Sequence, residues 1–319
     1  MYDLTPPQAM IETINGFTHR VLMVRPFQFH KNEETATNNY YQKEAQYQSK
    51  SALTRAAQKE FDALVDKLRA VGIEVIVHQD TPEFETPDSL FPNNWISFHP
   101  NFRVILYPMF AVNRRKERNP VVFQTLEKNG ISIRVLKDYS AYENTTVFLE
   151  GTGSMVLDRA NKIAYAALSE RTNRKLFQQF CLEQAYQGIV FTSYQTVEGM
   201  RLPIYHTNVM MSIGPTFATV GLDTIDSKDE RKQLYDALMR TQKELVLLSE
   251  SQINQFAGNM LTLIGEQGPV LVMSSAAFSS LAQAQKKQLK KHAQLIHSPL
   301  DTIEHCGGGS ARCMLAEVF

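Results

Sequence analysis

Six polar residues in the sequence could together form a nucleophilic site. Five of them lie 51 to 58 residues apart, each just before or at the start of an apolar segment: Asn94, Glu150, Asn208, Asn259 and Cys313. The sixth, His206, is two residues before Asn208. A thiolate can attack a carbon centre, an imidazole can move protons, and a carboxylate can orient the imidazole. The spacing predicts that these residues meet at one site.

A glycine-rich run lies just before Cys313. Residues Gly307 to Ser310 would allow close backbone approach and would offer amide N–H groups to a thiolate. A single cysteine in an apolar strand is usually a small buried hydrophobe, and we interpret Cys181 in that way. Cys306 is an alternative nucleophile, but it precedes the glycines and lies outside the repeat. The shared position in the repeat favours Cys313.

The elements that would carry these residues repeat along the chain. Each apolar segment is followed by a turn signal and a second apolar segment, which predicts a β-hairpin. A helical pattern then leads into another strand. The clearest example runs from Phe61 to Val71, with apolar residues at helical spacing, and continues through Gly72 into residues 73–77. The predicted unit is ββαβ.

Five such units could stack as an open solenoid or close into a ring. The first strand, RVLMVRP at 20–26, has no preceding partner, and the last, MLAEVF at 314–319, has no hairpin partner. Pairing these two strands would complete a fifth unit and leave no exposed sheet edge. We therefore expect an α/β fold in one domain over 1–319: a five-bladed ββαβ propeller closed by its terminal strands.

Residues 27–49 fit neither a strand nor an amphipathic helix. A loop of this length in a compact domain is usually functional or disordered. The sequence leaves two interpretations open, a mobile surface insertion or a lid over the active site.

The composition argues against nucleic acid and membranes as partners. The 319 residues carry 33 Lys and Arg against 33 Asp and Glu, with a pI near 7.1, so the chain has no charge excess to attract nucleic acid or an anionic membrane. No segment approaches the ~18 apolar residues of a membrane span. Residues 1–16 lack the basic and apolar regions of a secretory signal, which predicts a cytoplasmic protein. Three cysteines without a CxxC pair indicate neither disulfides nor a zinc site, and we expect no metal and no cofactor.

Seven short motifs resemble those of the pentein, or amidinotransferase, superfamily, and they span nearly the whole chain. They are PDSLFPNNW at 87–95, RRKE at 114–117, FLEGTG at 148–153, LSERTN at 168–173, HTN at 206–208, FAGN at 256–259 and GGGSARC at 307–313. The resemblance implies a five-bladed propeller, in agreement with the repeat.

The same resemblance implies roles for individual residues. Cys313 would attack a guanidino-type carbon, His206 would protonate the leaving amine and then activate water, and Glu150 would hydrogen-bond the histidine or the substrate. Arg114 and Arg171 would bind the α-carboxylate of a substrate. Asp88 would lie near its polar groups, and we expect Asn94, Asn208 and Asn259 to bind the substrate as well.

Two departures from the family pattern suggest the substrate. Arginine deiminases hold the cationic guanidinium with two carboxylates, and this chain has Asn94 and Asn208 at those positions. Carboxamides supply N–H donors and a carbonyl acceptor without charge, which suits a neutral ureido group. The motifs containing Asn94 and Asn208 most resemble those of citrulline-utilisation hydrolases, which implies conversion of citrulline to ornithine, carbon dioxide and ammonia.

The chain could also form a homo-oligomer. Two other functions remain open. The first is an arginine deiminase-like or dimethylarginine dimethylaminohydrolase-like enzyme that produces citrulline. The second is a catalytically silent propeller that binds arginine-like ligands, although the presence of Cys313, His206 and Glu150 argues against it.

Overall fold

The computed structural model describes residues 16–44 and 49–319, which form an α/β fold. The strands are β1 (Arg20–Arg25), β2 (Glu74–Gln79), β3 (Ile96–His99), β4 (Arg103–Leu106), β5 (Arg134–Asp138), β6 (Val156–Asp158), β7 (Ile163–Ala167), β8 (Gln187–Phe191), β9 (Tyr194–Val197), β10 (Met200–Pro203), β11 (Met211–Ile213), β12 (Phe217–Val220), β13 (Glu244–Leu247), β14 (Leu261–Gly265), β15 (Gly268–Ser274), β16 (Gln294–Ser298) and β17 (Ala316–Glu317).

Helices connect many of these strands. They are α1 (Glu33–Ala36), α2 (Lys50–Arg69), α3 (Pro120–Lys128), α4 (Gly151–Ser154), α5 (Arg174–Gln184), α6 (Lys228–Arg240), α7 (Glu250–Ile253), α8 (Ser275–Ser280), α9 (Gln283–Leu289) and α10 (Asp301–Gly307). Short 3-10 turns lie at Pro92–Asn94, Asn113–Glu117, Ser140–Thr145, Thr207–Val209, Leu222–Thr224 and Ala311–Met314. None of the helices in the described ranges is long and apolar enough to cross a membrane.

Five three-stranded sheets repeat one topology. Their strand orders are β17-β1-β2, β3-β4-β5, β6-β7-β8, β11-β12-β13 and β14-β15-β16. In each sheet the middle strand pairs antiparallel with the first strand and parallel with the third. A helical crossover joins the middle strand to the third, as a parallel connection requires. The predicted ββαβ unit is confirmed. The β9–β10 hairpin is an addition that the repeat does not predict.

The two terminal strands lie in the same sheet, as the sequence predicts. Val21 pairs with Glu317 and Leu22 with Ala316 in an antiparallel register. The Thr18 hydroxyl also donates to Val318 O at 2.6 Å. The fifth unit is therefore built from both ends of the described chain.

The helical pattern after the first strand forms α2. Phe61, Leu64 and Leu68 on its inner face are fully buried, and each buried side chain contributes about 1.5–3 kcal/mol of hydrophobic free energy. The Ser49 side chain caps the N-terminus by accepting from Ala52 N, and Gly72, with φ of +82°, turns the chain towards β2.

The predicted start of the β6 strand is wrong. Residues 151–154 form the helical turn α4, in which Gly153 N and Ser154 N both donate to Glu150 O. Gly151 has φ of +48°, and a Cβ there would lie 2.4 Å from Asn93 O, so the turn at this position requires glycine. The first strands of the other sheets also start one or two residues later than the predicted apolar segments, after tight turns.

Two other predicted boundaries are displaced. The sequence predicts a strand over residues 131–135, but β5 starts three residues later, at Arg134. It also predicts that Gly188 ends a helix, but Gly188 lies inside β8, and Ala185 in the left-handed conformation ends α5 instead.

Candidate active site

The residues predicted to carry the chemistry lie in or beside tight turns that precede the first strand of each three-stranded sheet. Asn94 ends the turn before β3, Glu150 immediately precedes α4, Asn208 lies in the turn before β11, Asn259 lies two residues before β14, and Cys313 lies in the turn before β17. All five side chains are buried.

Hydrogen bonds link successive turns to one another. They run from Thr152 Oγ1 to Asn93 O at 3.3 Å, from Thr207 Oγ1 to Ser154 O at 2.6 Å, from Asn259 Nδ2 to Asn208 O at 3.0 Å, and from Arg312 N to Asn259 Oδ1 at 3.0 Å. Each turn therefore restricts the position of the next, which holds the five polar side chains close together.

Two carboxamides contact the sulfur of Cys313. Asn259 Nδ2 lies 3.3 Å from Sγ, and Asn208 Nδ2 lies 3.6 Å from it. N–H donors of this kind hydrogen-bond a thiolate more strongly than a neutral thiol. Asn208 Oδ1 is buried and has no hydrogen-bond partner among the described residues. This oxygen can accept an N–H from a ligand.

His206 and Glu150 form a buried pair beside Arg171. His206 Nε2 is 2.8 Å from Glu150 Oε2, and Arg171 Nη1 is 3.6 Å from the same oxygen. Burial opposes ionisation of Glu150, but the charge of Arg171 and the hydrogen bond from His206 outweigh it and lower the Glu150 pKa to about 2. Burial lowers the pKa of His206 to about 4, although Glu150 acts to raise it. At neutral pH, Glu150 is ionised and His206 is neutral.

The carboxylate also determines which nitrogen of His206 is free. An ionised carboxylate only accepts hydrogen bonds, so Nε2 carries the proton and Nδ1 can accept another. Gly153 lies against Nδ1, where a Cβ would approach to 2.7 Å. The absence of a side chain at Gly153 leaves room for the imidazole.

Arg114 is buried, and most of its donors are used within the protein. Its Nε and Nη2 donate to the two oxygens of Glu117 at 2.8 and 2.9 Å, and Nη1 donates to Asn94 Oδ1 at 2.7 Å. Nη2 also reaches Phe91 O at 3.1 Å. This arrangement leaves Arg114 little capacity for the two-pronged grip on a carboxylate that the family resemblance implies, and it places a positive charge beside Asn94.

Arg171 is held by the long segment that follows β1. Its Nε and Nη2 donate to Asn38 Oδ1 at 2.8 and 2.5 Å, and Nη2 donates to Thr35 O at 2.9 Å. The guanidinium carbon lies 4.9 Å from the centre of the Tyr205 ring. The Asn38 oxygen occupies the position at which a ligand carboxylate would accept the same two N–H groups.

Asp88 is covered by the same segment. Its Oδ2 accepts from Asn32 Nδ2 at 2.8 Å and from Thr35 Oγ1 at 3.2 Å. Its Oδ1 is buried without a hydrogen-bond partner among the described residues. Asp88 therefore has one oxygen available to a cationic or N–H-bearing group.

We call residues 32–42 the lid segment. Asn39 Nδ2 and Gln42 Nε2 donate to backbone oxygens of the glycine-rich run, Gly308 O at 3.2 Å and Gly307 O at 3.1 Å respectively. The Tyr41 ring packs against Tyr205, with ring centres 6.1 Å apart. The lid segment covers the cavity in this structure, and residues 45–48 of the loop lie outside the described residues.

The predicted residues converge on one small cavity. Its lining consists of Asn39, Asp88, Phe91, Asn94, Arg114, Arg171, Tyr205, His206, Gly307, Gly309 and Cys313. Its volume is about 10 Å³, room for about one water molecule and too little for an amino acid. Glu150, Asn208 and Asn259 are not part of this lining. Glu150 hydrogen-bonds His206, and Asn208 and Asn259 contact Cys313.

The residues that close the site carry little signal in the sequence. Asn32, Thr35 and Asn38 lie within the loop 27–49, and their only signal in the sequence is the high density of asparagine and threonine there. Glu117 belongs to the RRKE motif, but the motif does not single it out. Tyr205 directly precedes His206, and this neighbour is the only hint of its place in the cavity.

The other two cysteines do not lie in this cavity. Burial raises the pKa of Cys181 to about 12 and that of Cys306 to about 11. Both thiols therefore remain protonated at neutral pH. Within residues 16–44 and 49–319, no group of three or more His, Cys, Asp or Glu residues could hold a metal ion.

Comparison with solved structures identifies proteins of the same fold. The apo structure of ArgZ, an arginine dihydrolase from the ornithine–ammonia cycle in cyanobacteria, matches with a TM-score of 0.70 and 16% identity, over 94% of this chain and 40% of ArgZ. The N-terminal domain of ArgZ bound to substrate matches with a TM-score of 0.67 and 15% identity, over 94% and 97%. This chain thus spans less than half of the full-length ArgZ chain.

A third structure is more distant in sequence. DDAH from Pseudomonas aeruginosa, in complex with citrulline, matches with a TM-score of 0.60 and 12% identity, over 94% of this chain and 99% of that one. No curated protein matches the chain in sequence. Residues 25–319 match the family described as N,N dimethylarginine dimethylhydrolase, eukaryotic. The chain therefore belongs to this family, within the pentein superfamily.

Proposed function

We propose that the protein is a cysteine-nucleophile hydrolase that cleaves C–N bonds in the ureido group of citrulline, with ornithine, carbon dioxide and ammonia as products. The contacts of Cys313 carry this proposal. Among residues 16–44 and 49–319, the side chains within hydrogen-bonding distance of its sulfur are the neutral carboxamides of Asn208 and Asn259. A ureido group offers an oxygen and N–H groups, which match carboxamide donors and acceptors.

The position of Arg114 supports the same substrate. Its guanidinium donates to Asn94 Oδ1 at 2.7 Å, so positive charge lies beside one of the two asparagines that replace family carboxylates. A guanidinium group carries only N–H donors and gains little from an Asn94 oxygen that already accepts from Arg114, whose charge is balanced by Glu117.

The protonation states suggest a sequence of steps. Neutral His206 takes the proton of the Cys313 thiol, and Glu150 stabilises the resulting imidazolium. The sulfur forms a bond to the ureido carbon, and the C–N bond to ornithine breaks as His206 returns the proton to the leaving amine. Water, deprotonated by His206, then cleaves the S-carbamoyl enzyme to carbamic acid, which decomposes to carbon dioxide and ammonia.

For a substrate to enter, the lid segment must give up its hydrogen bonds to Arg171 and Asp88. Once the lid segment moves, Arg171 loses Asn38 and Thr35 and can grip an α-carboxylate with the same N–H groups. Asp88 loses Asn32 and Thr35 and can accept from an α-ammonium group. We therefore propose Arg171, rather than Arg114, as the principal carboxylate-binding residue.

We further infer that the five sheets surround a common axis as a five-bladed propeller. The hydrogen bonds between successive turns and the pairing of β17 with β1 support this arrangement. The polar turns would then meet at one end of the axis.

A second candidate substrate is arginine or a methylated arginine. The observation that favours it is the presence of two buried acceptors without hydrogen-bond partners among the described residues, Asp88 Oδ1 and Asn208 Oδ1. A guanidinium group carries only N–H donors and could satisfy both. The family to which the chain belongs supports the same alternative.

The decisive experiment compares substrates and cysteine variants. Purified protein is incubated separately with citrulline, arginine, methylated arginines and agmatine, and ammonia, ornithine and citrulline are quantified. We expect ornithine and ammonia from citrulline, loss of this activity by several orders of magnitude in Cys313→Ser, and little change in Cys181→Ser or Cys306→Ser. Full activity of Cys313→Ser would disprove the mechanism, and citrulline formed from arginine would replace the proposed substrate.

A further inference from the structure

The carboxamide of Asn259 is fully used by the protein itself. Its Nδ2 donates to Asn208 O at 3.0 Å and approaches Cys313 Sγ at 3.3 Å, while its Oδ1 accepts from Arg312 N at 3.0 Å. The side chain has no exposed surface and, like that of Asn208, does not line the catalytic cavity, so the difference between the two lies in their hydrogen bonds. No hydrogen-bonding group of Asn259 is therefore left for a substrate.

The local sequence explains how Asn259 reaches this position. Gly258 lies so close to the neighbouring turn that a Cβ would come within 2.2 Å of Val209 O. Only glycine allows this approach. Asn259 N donates to Phe256 O at 2.9 Å, which completes a tight turn and directs the side chain between Asn208 and Cys313.

The turn that carries Cys313 is held from its other side by Arg312. The buried guanidinium of Arg312 donates to Leu315 O at 2.8 Å and to Glu317 Oε2 at 3.0 Å, which ties the turn to β17. Asn259 holds the backbone N–H of the same residue. The nucleophile thus follows directly after a residue whose backbone and side chain are both anchored.

Asn208 provides an internal contrast. It also approaches Cys313 Sγ through Nδ2, but its Oδ1 has no hydrogen-bond partner among the described residues. Asn208 can therefore serve both the sulfur and a ligand, whereas Asn259 can serve only the protein.

We propose that Asn259 is a positioning residue that orients Cys313 and hydrogen-bonds its sulfur anion without contacting the substrate. This replaces the substrate-binding role expected from sequence. The inference rests on the proposed role of Cys313 as the nucleophile, but its test reads the thiol directly and requires no turnover.

The test uses Asn259→Asp and Asn259→Ala, with Asn254→Ala as the matched control. Asn259→Asp preserves the side-chain shape and the oxygen that accepts from Arg312 N, but it places negative charge beside the sulfur. Asn254 is an exposed asparagine five residues earlier. The rate of Cys313 alkylation by iodoacetamide is measured from pH 6 to 10, with circular dichroism to verify folding.

We expect alkylation at pH 7 to slow at least tenfold in both Asn259 variants and to approach the wild-type rate at alkaline pH. The control should match wild type at every pH. On a Cys313→Ala background, calorimetry should give a citrulline Kd that changes less than twofold when Asn259 is replaced by Asp. An unchanged alkylation profile in a folded variant, or a tenfold weaker Kd, would overturn the proposal.

A crystal structure of the Cys313→Ala protein with citrulline tests the proposal independently, without altering Asn259. Any citrulline atom within hydrogen-bonding distance of the Asn259 side chain would overturn the proposal, even if the Asn259 variants do not fold. Failure of wild-type protein to hydrolyse citrulline would instead count against the proposed function, since the alkylation comparison would be unaffected.

Discussion

His206 Nε2 lies 2.8 Å from Glu150 Oε2 in a site where neither side chain is exposed. Burial keeps the imidazole neutral, while the ionised carboxylate prepares the site for the imidazolium that forms during reaction. This balance between burial and pairing determines how the activity should respond to acid.

We expect kcat/KM for citrulline to stay nearly constant from pH 7 to 5 and to fall as the pH drops through about 4, where His206 becomes protonated. Glu150→Gln should move this acid limb to lower pH, because Glu150 raises the His206 pKa, and should also reduce kcat. Rate profiles with a parallel check of folding measure both effects. An acid limb near 6.5, the ordinary histidine value, would show that burial does not control His206.

Arg171→Lys should weaken recognition of an α-carboxylate, because an ammonium group cannot donate the two fixed N–H bonds that Arg171 now gives to Asn38. We expect KM for citrulline to rise tenfold or more, and KM for its decarboxylated analogue, N-carbamoylputrescine, to change less than twofold. Arg115→Lys is the control, because Arg115 is a partly exposed residue near the site, and both KM values should stay unchanged in it. Equal increases for both substrates would mean that Arg171 does not read the carboxylate.

Asn94 and Asn208 should differ in how much replacement by Asp weakens citrulline binding. Asn94→Asp would place its carboxylate against Arg114, which already donates to this position at 2.7 Å. Asn208→Asp would leave an unpaired carboxylate beside Cys313. We therefore expect the citrulline Kd to rise on the order of a hundredfold in Asn208→Asp and much less in Asn94→Asp.

Calorimetry on a Cys313→Ala background measures both ligands without turnover. Asn208→Asp should also gain affinity for arginine, whose guanidinium would pair with the new charge. If the unsubstituted asparagine site already binds arginine more tightly than citrulline, the ureido substrate is wrong.

Glu304 should make stability depend on pH in the opposite sense to most acidic residues. Burial raises its folded-state pKa to about 7, although hydrogen bonds from Ser274 and Ser310 act to lower it. The unfolded chain releases this proton above about 4.5, whereas the folded protein retains it until about pH 7. The contribution of Glu304 is therefore present at low pH and is lost as the pH rises through this window, by about 3 kcal/mol.

Glu304→Gln is neutral at every pH and should remove that dependence. The unfolding free energy of wild type relative to Glu304→Gln, measured by denaturant titration, should decrease between pH 4.5 and 7 and then level off. A difference that stays constant over this range would show that Glu304 is ionised in the folded protein.

The repeat is readable in the sequence because hydrophobic periodicity and turn residues depend on local structure. The spacing of Asn94, Glu150, Asn208, Asn259 and Cys313 predicts the five sheets and the pairing of the terminal strands. It also predicts that these residues approach one another. A single domain remains a prediction from the repeat, a cytoplasmic location remains a prediction from residues 1–16, and independence from cofactors also remains a prediction.

The hydrogen-bond partners of individual side chains cannot be predicted from the sequence. The RRKE motif predicts a carboxylate-binding Arg114, but the direction of its guanidinium is determined by Glu117 and Asn94 after folding. The lid segment has no hydrophobic period, because asparagine and threonine hold it through hydrogen bonds rather than through an apolar face. Asn259 and Asn208 look equivalent in the sequence and differ only in which of their polar atoms the protein already uses.

The pairing of β17 with β1 has a consequence for biosynthesis. Thr18 and Val318, which are hydrogen-bonded across this junction, are 300 residues apart. During translation β1 cannot pair with β17 until residues 316 and 317 have emerged, whereas the other four sheets join strands that follow one another closely. Closing so long a loop is slow and entropically costly. The turn that carries Cys313 can therefore take its place beside β1 only after residues 311–317 have been synthesised, later than the turns of the other four sheets.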